Sequence, residues 1–144
     1  MWSQPFRFSS TWQVAAPAGA VRAVLEDVEH YPEWWPQVVA CLKTGEDEGV
    51  VLCRSSLPFT LELHVSLLRR TPEVLESRVT GDLDGWVRWR IAPESVGCRV
   101  HFEQEVVVCG ALLGLASYAA RPALLWNHAR MLAGARDGLT RRLA

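Results

Sequence analysis

The stretch WVRWRIAPESVGCRVHFE, residues 86–103, decides the fold, because its two halves can be set in register from the letters alone. Apolar and polar residues alternate on either side of the turn residues Pro93 and Gly97, the two-residue period of a half-buried strand. A one-residue slip of a hairpin carries a strand's whole apolar set to the opposite face. Only the pairing of Ile91 with Val100 and Trp89 with Phe102 buries both sets together. That register puts Arg88 opposite Glu103 on the other face, an opposite-charge pair worth about 0.2–1 kcal/mol, and leaves Gly97 to close the turn. Trp89 is then expected inward, in the middle of a sheet, and Trp86 outward beside Arg88 and Arg90.

Working outward, residues 38 to about 109 form short β-rich runs separated by turn residues at 44–49, 57–58, 70–73, 81–85 and 93–97, which predicts six strands in a meander. Within it, Leu61, Leu63, Val65 and Leu67 alternate with Glu62, His64 and Ser66, so one face of the sheet is wet. Nearer the N-terminus, Phe6, Phe8, Trp12 and Val14 alternate with Arg7, Ser9, Thr11 and Gln13 as a first strand. Pro17 suits a helix start, and Val21, Val24, Leu25 and Val28 follow at helical spacing for about ten residues. The heptapeptide HYPEWWP, residues 30–36, leaves room for one or two helical turns between its prolines: a second short helix or a tight corner. After Gly110, the residues Leu124, Leu125, His128, Leu132, Ala135, Leu139 and Leu143 form a stripe opposite Arg130, Asp137, Thr140 and Arg141, the pattern of a long helix with one buried face. Pro122 starts this helix or kinks a longer one beginning near Leu112. The expected order is strand, two short helices, six strands, long helix: one α+β domain over residues 1–144 with a seven-stranded antiparallel sheet.

Composition removes several classes of function. The chain's 144 residues can bury a core of their own, and Lys+Arg 15 against Asp+Glu 16 gives net charge -1 without long runs of either sign, so no nucleic acid is expected as partner. Cys41, Cys53, Cys98 and Cys109 stand far apart without metal-ligand spacing, as buried free thiols do, and no metal is expected. MWSQPFRFSS lacks the features of a secretory signal, and the longest uncharged run, residues 106–120, is too short to span a bilayer, so a cytoplasmic protein without a transmembrane segment is expected. No nucleophile elbow or phosphate loop is present, and GDLDG, residues 81–85, reads as a turn rather than a calcium loop; no cofactor is expected. Glu62, Glu103 and Glu105 alternate with apolar neighbours toward water, leaving no paired carboxylates for acid–base chemistry.

Three stretches carry a family resemblance: VAAPAGAVRAVLEDVEHYPEWWPQV at 14–38, GDLDGWVRWRI at 81–91 and RPALLWNHARMLAGARDGLTRRL at 121–143. Together they resemble the polyketide cyclase/dehydrase-like branch of the START and pollen-allergen-like (SRPBCC) superfamily, whose helix-grip fold wraps a curved sheet around a long C-terminal helix. HYPEWWP also resembles a tyrosine-proline segment of the quinone-binding and ribosome-association members. The resemblance implies a cavity between sheet and helix that takes a small hydrophobic molecule of lipid, polyketide or quinone type; because the sequence offers no recognisable catalytic constellation, the chain is expected to be a non-catalytic carrier or sensor. The expected ligand-binding residues are Trp35, Leu63, Val65, Trp89, Phe102, Arg121, Leu124, His128 and Met131. His128, the one ionisable group at the centre of the helix stripe, is a satisfied core histidine or a donor to a ligand carbonyl; Arg121 faces a ligand carboxylate or the surface. Two rival readings stand: an aromatase/cyclase or dehydratase in which His128 is the acid or base, and an interaction module that recruits a protein partner or a second copy through Trp86 and its neighbouring arginines, the pocket being vestigial.

Overall fold

Each alternating run forms a strand in the computed structural model, which describes residues 5–54, 60–108 and 121–144, with the backbone alone at 108 and 121–124. The strands are β1 (Phe6–Val14), β2 (Val38–Gly45), β3 (Glu48–Arg54), β4 (Thr60–Arg70), β5 (Val74–Gly81), β6 (Leu83–Pro93) and β7 (Cys98–Val108). They form one antiparallel sheet in the order β1-β7-β6-β5-β4-β3-β2, a meander of consecutive neighbours with the first strand added beside the last. The last hairpin has the register that burial requires: Ile91 faces Val100, Trp89 faces Phe102 and Arg88 faces Glu103. Gly97 closes its turn at φ 77°, a conformation that favours glycine, and receives the Glu94 N–H on its carbonyl oxygen at 3.1 Å. The turn expected at 57–58, Cys109 and any helix beginning near Leu112 lie outside the described residues.

Helix α1 (Ala18–Glu26) starts directly after Pro17, and Val21 and Leu25, one turn apart, are fully buried against the sheet. HYPEWWP is a corner: a 3-10 segment (Val28–Glu33) with Pro32 inside it, followed by the buried pair Trp34 and Trp35. Helix α2 (Arg121–Arg142) lies against this corner and the concave face, and its Ala135 and Leu139 are wholly buried. The core joins the inward residues of β1, β6 and β7 to both helices and the corner.

The stripe predicted on α2 needs one correction. Leu125 is 41% exposed, with its neighbour Trp126 at 53%. The rotation of the helix is set by small residues: a Cβ at Gly138 would overlap the Trp34 carbonyl oxygen, and one at Gly134 the Gln37 amide, so the backbones approach closely at both positions. Trp35 Nε1 donates to the Met131 carbonyl at 2.9 Å and Arg142 pairs with Glu33 at 2.8 Å, fixing the same face. Leu125 lies N-terminal to all of these contacts and is left partly facing water.

Candidate functional site

An aromatic wall crosses the concave face. The cross-strand partners Trp89 and Phe102 meet edge to face at 4.8 Å, and Trp89 also contacts Trp12 at 5.8 Å and Trp35 at 6.3 Å. Phe102 continues the wall to His128 at 6.2 Å, and the imidazole lies flat on the Phe8 ring, centroids 3.4 Å apart. Such a cluster buries large rigid surfaces and resists rearrangement. An apolar hollow opens on either side of it.

The hollow toward β2–β5 has a volume of about 190 Å³, with Leu25, Tyr31, Val65, Leu75 and Trp89 among its walls. Its mouth is acidic, with Glu26, Asp27, Glu29, Glu46, Asp47 and Glu48 against Lys43 and Arg70. Arg70 ties α1 to the β2–β3 turn by pairing with Glu26 at 2.7 Å and Asp47 at 3.1 Å. Inside, the groups are uncharged near neutrality. The Tyr31 hydroxyl donates to the Leu25 carbonyl and burial raises its pKa, while burial pushes the half-buried Cys41 thiol up to about 11.

The second hollow is a groove of about 410 Å³ between β1 and α2, walled by Phe8, Ser10 and Trp12 on one side and Leu125, His128, Ala129, Leu132 and Ala133 on the other. Arg7 and Arg136 lie along it and are paired, Arg7 with Glu105 at 2.8 Å and Arg136 with Asp137 at 3.2 Å. The imidazole of His128 sits with Nε2 at 2.6 Å from Gln104 Oε1. An amide oxygen only accepts, so Nε2 carries the proton. Nδ1 is buried and has no hydrogen-bond partner among the described residues. Burial alone drives the pKa of His128 down to about 3, so the ring is neutral.

These positions distribute the residues singled out from the sequence. Val65 and Trp89 line the smaller hollow, His128 lines the groove, and Trp35 and Phe102 belong to the wall between them. Leu63 and Met131 pack against the core from its margin. Arg121 and Leu124 lie in the first turn of α2, their side chains outside the described residues. His128, read from the sequence as a satisfied core histidine or a donor to a ligand carbonyl, gives its N–H to Gln104. Gln104 itself was missed, although it shares the inward parity of Val100, Phe102 and Val106; it is the polar member of that row and only 7% exposed. On the outer face, Arg88 stacks over Trp86 at 4.6 Å while pairing with Glu76 at 2.9 Å and Glu103 at 3.5 Å, so its guanidinium is engaged within the sheet. No helix among the described residues is long and apolar enough to cross a membrane.

A curved antiparallel sheet gripping a C-terminal helix over apolar hollows defines the helix-grip class of α+β proteins. The chain belongs to the family described as polyketide cyclase / dehydrase and lipid transport, whose model matches residues 5–140. Solved structures agree on the fold. The chain is similar to a START superfamily protein from Mycobacterium smegmatis at 17% identity and TM-score 0.72, covering 96% of this chain and 99% of that one. It is similar to the Zhui aromatase/cyclase from Streptomyces sp. R1128 at 18% identity and TM-score 0.77, covering 97% and 94%. A conserved protein from Geobacillus kaustophilus aligns at 9% identity and TM-score 0.80, covering 96% and 95%. No curated protein matches the chain by sequence.

Proposed function

We propose that this protein binds a small hydrophobic molecule, of lipid, polyketide or quinone type, and acts as a carrier or sensor rather than a catalyst. The observation that carries the reading is the groove between β1 and α2: its 410 Å³ falls in the range of small-molecule sites, roughly 300–1,000 Å³, and its walls are mostly apolar with a buried polar group among them. The smaller hollow, at 190 Å³, falls below that range. The family's lipid-transport members and the Streptomyces aromatase/cyclase on the same fold support an apolar ligand.

The rival, acid–base chemistry at His128, needs a group whose pKa lies near the working pH. A ring held neutral down to about pH 3 is a weak base, and its proton is committed to Gln104. Binding fits these properties better than turnover does. The direct test is titration of the full chain with naphthalene while tryptophan emission is followed, in the wild type and in Trp12→Phe, since Trp12 lines the groove. A saturable change that the substitution diminishes is expected. Absence of any saturable change with naphthalene would overturn the reading, and a co-purifying apolar molecule, sought by native mass spectrometry of protein from its own host, would identify the ligand.

A further inference from the structure

We infer that the polar contact offered by His128 selects a ligand bearing a hydroxyl or other hydrogen-bond donor, and discriminates against one that presents only a carbonyl or ether oxygen at that point. The inference rests on the groove being the binding site and adds the hydrogen-bond polarity of what fills it. Three observations combine. The Nε2 proton is spoken for, because the atom 2.6 Å away is the Gln104 amide oxygen, which has no proton of its own to give. Gln104 is held in the inward row of β7, buried, so the acceptor cannot turn away to water. Nδ1 is left with a lone pair, buried without a partner among the described residues, and a buried acceptor left unpaired is costly.

The ring cannot answer by changing its state. Taking a second proton would place a charge in an apolar site between Phe8 and Phe102, and moving the proton to Nδ1 would require the buried Gln104 amide to turn over so that its NH2 meets Nε2. What relieves Nδ1 is an incoming O–H or N–H. A ketone, an ether or a carboxylate brings another lone pair to the same place and adds repulsion instead. An alcohol, phenol or enol on an apolar body is thus the class of ligand that the groove takes best.

Three probes of one shape test this on the full chain near neutral pH: 2-naphthol, which donates, 2-methoxynaphthalene, which only accepts, and naphthalene, which does neither. Calorimetry or tryptophan quenching is expected to give 2-naphthol an affinity about tenfold or more above 2-methoxynaphthalene, a preference that His128→Leu abolishes whatever it does to naphthalene binding. Equal affinities for naphthol and ether in the wild type, or a preference surviving in His128→Leu, would overturn the inference while leaving ligand binding intact; failure of the wild type to bind any of the three, naphthalene included, would instead overturn the proposed function. Nitrogen-15 spectra of the wild-type imidazoles provide a check that needs neither ligand nor variant. They are expected to show His128 protonated at Nε2 and bare at Nδ1, and a ring protonated at Nδ1 would refute the assignment.

Discussion

Replacing His128 by leucine is expected to remove a pH dependence from the stability of this fold. The imidazole is desolvated between Phe8, Phe102 and Gln104, and burial lowers its pKa from 6.5 to about 3. In the unfolded chain the same ring titrates near 6.5, so between pH 6.5 and pH 3 the unfolded state binds a proton that the folded state refuses. Stability contributed by the neutral ring is therefore complete above about pH 6.5 and falls as the pH drops toward 3, by about 1.4 kcal/mol per unit inside the window. Integrated from pH 7.5 to pH 5.0, the loss is about 2 kcal/mol. The arginines along the groove, Arg7 and Arg136, are paired with Glu105 and Asp137. His30, raised by its hydrogen bond to Asp27, acts in the opposite direction and is common to both proteins. Urea unfolding at the two pH values should show the wild type losing about 2 kcal/mol more than His128→Leu. Parallel losses, or a carbon-detected titration of the His128 ring with a midpoint near 6.5, would refute the reasoning.

Gly138→Ala should destabilise by about 1–3 kcal/mol or more in denaturant unfolding, because the new methyl group would overlap the Trp34 carbonyl oxygen and force α2 off the corner. In a Cys109→Ser background, native protein at pH 8 should resist an aromatic disulfide reagent until unfolded, since burial pushes Cys53 up to about 12 and Cys41 up to about 11; rapid native labelling of Cys53 would contradict its placement. Arg70→Ala should cost no more than about 1 kcal/mol, with a salt-dependent difference, because its pairs with Glu26 and Asp47 are partly exposed.

The sheet was readable from residue parity. In an alternating strand a single inward residue settles its neighbours, so Trp89 and Phe102 established the last hairpin and, with it, the partners of Arg88 and Ile91. How closely α2 approaches the corner was harder to read, because hydropathy marks which residues are apolar and says little about which backbone comes closest. Gly134 and Gly138 decide that by their lack of a side chain, against a corner that is distant in sequence. The same gap separates the residues of the site. Trp89, Phe102 and His128 were each expected inward, but the packing that places them as a wall between two hollows depends on Trp12, Trp35 and Phe8 arriving from other elements. Gln104 carries no such signal, because apolar periodicity does not mark the polar member of an inward row, which here determines what His128 can offer.

The position of β1 has a kinetic consequence. The chain's first strand pairs with its last, Arg7 with Glu105 across 98 positions of sequence, whereas β2 to β7 can zip together as successive hairpins. Closing a loop of that length costs about 4 kcal/mol of chain entropy before the contacts reward it. During synthesis, Phe6, Phe8 and Trp12 must therefore wait for the whole meander to be made before their partners appear, and until β7 emerges the meander carries an open edge along β6. Mispairing and association of nascent chains should concentrate on those two segments, and mutations that slow the arrival of β7 should lower the soluble yield more than their effect on final stability would suggest.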